Sequence, residues 1–334
     1  MAEWLYEAGI GECRAALVSD GRIVEAQIER DESGARAGAV CDARLTRLLI
    51  PGRRGIMTLE GGEEALIEPI PAGLSEGAAA RIVVVRERIP EPGRAKLATV
   101  RPAPPGATPA PGHDLLARIT ISGHPVARLQ PFGPDRLEQA GWSELIEEAA
   151  SGDSGFDGGS LRIFVTPAMT LIDVDGAGDA SALAVAGAAA AARAIVRLGI
   201  GGSIGIDLPT VPDRARRQAA DAAIDAVLPQ PFERTAVNGF GFVQIVRRRT
   251  RASLIETVQG DPVLTAALAL LRRAERTDGP GERVLVAAPA IVARIEAQPH
   301  WIETLSRRAG APVALRAEPG RPISAAYVET RPLR

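Results

Sequence analysis

The sequence predicts a multidomain α/β protein that carries a small five-stranded β domain, whose strands suit a barrel of the oligonucleotide-binding type though another small β domain would read alike. Three observations lead there. Residues 34–100 hold five short β-rich segments separated by turn residues, with no helix-period stretch long enough to interrupt them. Residues 170–228 read strand–helix–strand–helix, the order that brings parallel strands into one sheet. Between them, "RPAPPGATPAPGH" (101–113) is too rich in proline for a helix or a central strand and reads as a semi-rigid linker.

The elements follow in order. "EWLYEAG", "ECRAALVSDG" and "RIVEAQIERD" read as strands, with Asp20-Gly21 as a hairpin turn between the last two. "GAVCDARLTRLL", "RRGIMTLEG", "EEALIEPI", "AARIVVVRERI" and "KLATVRP" are the barrel segments. After the linker, "LLARITISG" and "HPVARLQPFG" read as strands and "PDRLEQAGWSELIEEAASG" as one helix, followed by a strand in "SLRIFVTPAM". "TLIDVD" and "GGSIGIDLPT" are strands joined by the helix "DASALAVAGAAAAARAIVRLG", and Pro212 opens the next helix, "PDRARRQAADAAIDAVL". "GFGFVQIVRRR" is a further strand. Residues 261–334 form a small α/β domain with helices "VLTAALALLRRAE" and "AIVARIEAQ" around the strand "RVLVAAP".

Composition excludes several classes. The chain has 334 residues, 46% hydrophobic and 24% charged, which is an ordinary globular balance and not that of a disordered chain. Net charge is −2, so no overall basic field announces a polyanion. Cys13 and Cys41 lack metal-ligand spacing, so no zinc site is expected and a reducing cytoplasm is the expected compartment. The N-terminus lacks a basic n-region with a long apolar segment, and the apolar run 180–200 contains Arg193 and Arg197. No membrane partner is therefore expected.

Two carboxylates stand out. Asp173 follows "TLI" and Asp207 follows "GGSIGI", matched places at the ends of two strands joined by a crossover helix. Neighbouring strands would make the two acids converge, and converging anions call for a cation. Hard oxygen ligands with room for water suit Mg²⁺ or Mn²⁺. Asp175 and Asp179 add nearby acids, and Asp179 is also well placed as a helix N-cap. An EF-hand needs a glutamate twelve residues into its loop, where Ala184 stands. His113, His124 and His300 are scattered among different segments, and His113 and His124, beside the linker, read as solvated loop side chains. The basic run at Arg247, Arg248, Arg249 and Arg251 is a solvated face or a grip for phosphates.

These residues also carry a likeness. "GGSLRIFVTPAMTLIDVDG", "GIGGSIGIDLPT", "GFGFVQIVRRRTRASL" and "RVLVAAPAIVARIE" resemble the ribonuclease E/G family in order and spacing. "ARLTRLLIPGRRGIMTLEGGEEALIEP" is similar to that family's S1 domain. The resemblance implies ribonuclease H-like segments at 1–35 and 114–160 and an inserted S1/OB-type barrel at 36–100. It further implies the linker at 101–113, a DNase I-like catalytic region at 161–260 and a small domain at 261–334. The implied activity is Mg²⁺-dependent endonucleolytic cleavage of single-stranded RNA, with Asp173 and Asp207 on the metal. Asp175 assists where the family has asparagine, and Arg247, Arg248 and Arg249 contact phosphates. "IETVQGDP" replaces the family's zinc-link cysteines, so any homo-oligomer would form without a zinc link. The barrel segment has no Phe, Tyr or Trp, with Ile56 or Met57 and Leu66 near the places where the family has stacking aromatics. The alternative is a catalytically degenerate RNA-binding relative.

Overall fold

The computed structural model describes residues 1–332 apart from 92 and 94. It opens with an antiparallel meander of β1 (Glu3–Ala8), β2 (Glu12–Ser19) and β3 (Arg22–Arg30). Asp20 and Gly21 take φ of 52° and 75°, the left-handed pair that a tight two-residue hairpin requires and that Asp-Gly supplies.

The barrel comes next: β4 (Val40–Ile50), β5 (Arg54–Leu59), β6 (Glu64–Ile67), β7 (Ala79–Arg86) and β8 (Ala98–Pro102). It closes in the order β4-β5-β6-β8-β7, with β6 and β8 parallel and the other neighbours antiparallel. Leu45, Met57, Ile67, Ile82 and Val100 fill its interior, so alternation along each strand specifies the closure. Of the forms that five short strands allow, the chain adopts the closed barrel, consistent with the oligonucleotide-binding type. The proline-rich stretch does not swing free. Arg101 and Pro102 belong to β8, and Ala110 exchanges two backbone hydrogen bonds with Val40 (2.9 and 3.0 Å), which lays the segment along the barrel.

Beyond it, "LLARITISG" is not a strand. It forms α1 (Leu115–Ile121), capped by Asp114, whose carboxylate accepts from the Ala117 amide at 2.8 Å. Leu115 and Ile119, one turn apart, pack on Trp4, Ala15 and Leu17, so tertiary burial and the cap outweigh the β-branched isoleucines. β9 (Val126–Leu129) then pairs parallel with β1 and completes a sheet in the order β3-β2-β1-β9. The single helix expected over 134–152 breaks in two, α2 (Arg136–Gln139) and α3 (Trp142–Ser151), because Gly141 sits between them at φ 94°.

The second sheet contains β10 (Asp153–Phe156), β11 (Gly159–Val165) and β12 (Thr170–Gly176). Helix α4 (Ala180–Arg197) leads to β13 (Gly202–Asp207), and α5 (Arg214–Val227) to β14 (Phe232–Arg234) and β15 (Phe242–Arg247). The strand order is β10-β11-β12-β13-β15-β14, and β12–β13 is its parallel pair. The sheet starts at Asp153, in the glycine-rich segment ahead of "SLRIFVTPAM", because Asp153–Phe156 pairs back on β11 as a hairpin. α5 is capped by Asp213 and begins after it, so Pro212 precedes the helix instead of lying in its first turn.

By length and apolar composition α4 could cross a membrane, but half of it is buried inside this fold. It lies against β3 of the first sheet and β11 and β12 of the second, with Ala184, Ala188, Ala191 and Ile195 inside one shared core. Small side chains let it come close to the sheet. At Gly187 a Cβ would lie 2.3 Å from Val174 Cγ1. Overpacking against a stiff β-branched neighbour costs about 1–3 kcal/mol. Alanine's advantage over glycine inside a helix is only about 1 kcal/mol. Gly187→Ala is therefore expected to lower the midpoint of thermal unfolding, and an unchanged or higher midpoint would refute this close fit.

The chain ends with α6 (Leu254–Gly260), α7 (Pro262–Glu275), β16 (Glu282–Ala287), α8 (Pro289–Glu296), α9 (Pro299–Ala309), β17 (Val313–Ala317) and β18 (Tyr327–Arg331). β16 is central in a three-stranded sheet, β17-β16-β18, and α7 to α9 pack with it around Leu268, Leu285 and Trp301.

Candidate functional site

The alternation of β12 and β13 decides what faces where. Ile172, Val174, Ile204 and Ile206 point into the core shared with α4. Their neighbours Leu171, Asp173, Asp175, Gly205 and Asp207 therefore point to the opposite, uncovered face. In the parallel register Asp173 stands directly opposite Asp207, and Leu171 opposite Gly205. Adjacent strands lie about 4.8 Å apart, so the two carboxylates rise side by side. Asp207 ends β13 as expected, but β12 runs on to Gly176 through its pairing with β11, so Asp173 stands at mid-strand and not at a strand tip. Asp175, two residues on, shares their face and is exposed. Asp179 does not join them as a ligand: its carboxylate caps α4 by accepting from the Ala182 amide at 2.8 Å.

The electrostatics agree with this geometry. Partial burial pushes the Asp173 carboxyl above its ordinary pKa, and the Asp175 and Asp207 carboxylates push it the same way. Arg162 and the Val174 amide oppose the shift without cancelling it. Three like charges on one face are a feature that a divalent cation would relieve. Among the described residues, no three or more His, Cys, Asp or Glu side chains close around one point to hold a metal by themselves. Two carboxylates with water at the remaining positions are the donor set that magnesium accepts, so Asp173 and Asp207 fit it.

Two residues at this site escape a reading of the sequence. Arg162 on β11 stands directly opposite Asp173, and Phe242 on β15 directly opposite Asp207. The pairings give one row across four strands, Arg162–Asp173–Asp207–Phe242. Arg162 is well exposed, and its guanidinium lies 3.4 Å from Asp153 on β10. Neither residue is near both aspartates in sequence, so only the strand register reveals the row.

Arg247, Arg248 and Arg249 are not brought to the aspartates. β15 runs antiparallel to β13, so Phe242 pairs with Asp207 while Arg247 pairs with Gly202 at the far end. Five residues of strand separate these ends by about 17 Å. Arg247 donates to the Ile200 carbonyl at 3.0 Å, and its burial pushes its pKa down. Arg249 is ion-paired with Glu256, the residue that also closes the capping box of α6. Arg248 is exposed.

In the barrel, Ile56 and Met57 are 2% and 0% exposed, and Leu66, opposite Ile56, is half-buried. None of the three offers a flat surface to a base. No protein-family model matches the chain, and no curated protein sequence matches it.

Proposed function

We propose that the chain is a Mg²⁺-dependent endoribonuclease acting on single-stranded RNA, with an arrangement like that of ribonuclease E/G. The observation that carries the reading is the direct cross-strand pairing of Asp173 with Asp207 on an uncovered sheet face. The barrel supports it, because a closed five-stranded barrel of this strand order suits a nucleic-acid groove. The first sheet supports it too: the barrel is inserted between β3 and β9, as the ribonuclease H-like reading with an inserted barrel requires.

Asp173 and Asp207 would hold the ion, and Asp175 would lie beside it on the same strand. When bound, magnesium supplies Lewis-acid charge at the scissile phosphate and lowers the pKa of a water. Arg162 is placed to offset the charge of a phosphate drawn to the acid row, and the open face leaves room for an extended strand. The alternative, an RNA-binding relative without turnover, is favoured by one feature: Asp175 adds a third negative charge where the resembled family has a neutral amide.

The test is cleavage of an end-labelled, AU-rich single-stranded RNA with Mg²⁺ or with EDTA. Cutting that needs the metal, together with a rise of the unfolding midpoint in Mg²⁺, supports the enzyme. Saturation to 100 times Kd corresponds to about 2.7 kcal/mol of stabilisation. RNA binding without cutting supports the alternative. Neither cutting, nor RNA binding, nor a metal-dependent midpoint would overturn both.

A further inference from the structure

We infer that the nucleobase-stacking surface of this protein lies on the acidic sheet, at Phe240 and Phe242, and not in the barrel. The inference rests on the RNA reading above and deepens it.

Aromatic residues make up only 3% of the chain. The three tryptophans are buried, and the barrel segment 36–100 has no aromatic residue. Of six phenylalanines, five (Phe156, Phe164, Phe232, Phe240 and Phe242) fall within the span of the second sheet. Phe240 is 82% exposed and Phe164 49% exposed. Phe132, in the loop between β9 and α2, is exposed as well, but the sheet that carries the acids is where two exposed phenyl rings share one element with charged groups.

Their mounting is specific. Phe242 stands opposite Asp207, and its ring covers Gly205: a Cβ there would lie 2.6 Å from Phe242 Cζ and 2.9 Å from Leu171 Cδ2. The ring therefore lies across β13 toward β12, beside the acid pair. Phe240 sits on a turn fixed from several sides. Asn238 Oδ1 accepts from the amides of Phe240 (2.9 Å) and Phe242 (3.1 Å), and the Gly241 amide donates to the Asn238 carbonyl at 3.1 Å. The Thr210 hydroxyl donates to the Phe240 carbonyl at 3.2 Å. Gly241, at φ 91°, lets the turn touch the Leu208 backbone, where a Cβ would meet the carbonyl oxygen at 2.2 Å.

An exposed ring on a stiff turn binds with little loss of entropy. The occupant follows from the neighbours. An apolar protein partner covering these rings would also bury Arg162, Asp173 and Asp207 without matched charges, at a large desolvation cost. A nucleotide brings a π-face for the rings and a phosphate that Arg162, or a cation held by the acids, can meet. Stacking of this kind tolerates any base.

The experiment uses the full chain in EDTA, so that binding is read without turnover. Fluorescence anisotropy follows a fluorescein-labelled single-stranded RNA and an abasic ribose-phosphate oligomer of the same length. Phe240→Leu and Phe242→Leu keep apolar bulk but remove the π-face. Each is expected to weaken RNA binding about tenfold and to leave abasic binding unchanged. The unfolding midpoint is expected to hold in Phe240→Leu and to fall slightly in Phe242→Leu, whose half-buried ring packs on Gly205. Phe240→Trp is expected to retain or improve affinity. Wild-type-like RNA affinity in the double leucine variant would overturn this inference while leaving the RNA reading intact. Failure of the wild type to bind RNA in EDTA and in Mg²⁺ alike, with no cutting and no metal-dependent midpoint, would overturn both. A concentration-dependent dimer in sedimentation, lost in the double variant, would make the face a contact between copies of this chain and overturn the inference.

Discussion

Asp173→Asn and Asp207→Asn are each expected to lower Mg²⁺-dependent RNA cleavage by at least about a thousandfold, with the fold intact. Each substitution removes one of two carboxylates that face each other across the parallel pair, and with it half of the protein's grip on the ion. A metal's charge at a reacting phosphate is worth several kcal/mol, and about 4 kcal/mol of lost transition-state stabilisation is a factor of a thousand. The unfolding midpoint gives a second, independent readout. Without metal, the wild type holds like charges together, so each asparagine variant is expected to unfold at an equal or higher temperature than wild type in EDTA. With Mg²⁺ the order reverses, because only the wild type has the full pair of ligands. Asp175→Asn, which removes the third charge and leaves the pair, is expected to retain cleavage. Equal activity in wild type and both pair variants would show that the cutting does not come from this site.

Much of this site was legible in the sequence, because an acid that follows an apolar β run has to leave the core, at the strand's end as Asp207 does or on an open sheet face as Asp173 does. Asp173 and Asp207 end such runs, and a crossover helix between them makes neighbouring parallel strands the expected arrangement. The barrel was legible for a similar reason: turn residues divide 34–100 into strand-length pieces, and the Asp20-Gly21 turn shows the same local rule at work. What stayed hidden depends on long-range pairing. Arg162 and Phe242 become neighbours of the acids only through the register of β11 and β15. Register likewise sets Arg247 at the far end of the sheet from the acids, since closeness in sequence says nothing about which end of a strand a residue occupies. "LLARITISG" fails differently. Its short apolar run fits both periods, and the choice of helix rests on the Asp114 cap and on packing against Trp4.

The largest stability effect is expected far from the acid row, at Glu7 on β1. This carboxylate is 3% exposed and receives three guanidinium groups: Arg14 at 2.9 Å, Arg272 at 2.8 Å and Arg276 at 2.6 Å. Arg14 also meets Glu12, and Arg272 also meets Asp135, the N-cap of α2. The cluster thus joins the first sheet to α7 of the C-terminal part. Glu7→Gln keeps the shape but leaves three buried cations without their shared anion, and breaking a buried pair from one side costs roughly 3–5 kcal/mol. The pH dependence has a definite sign. Burial alone would raise the Glu7 pKa, but Arg14, Arg272 and Arg276 together hold it down, from 4.5 to about 2. A depressed pKa stabilises the fold fully above the unfolded value and loses that contribution as pH falls through the window between 4.5 and 2. The shift corresponds to a contribution on the order of 3 kcal/mol. In urea unfolding, the wild type is expected to exceed Glu7→Gln in stability at pH 6. That gap should narrow by about 2 kcal/mol at pH 3, where an unfolded-state carboxyl is mostly protonated and the native one is still ionised. A gap that does not change with pH would mean that the three arginines do not hold Glu7 in its charged form.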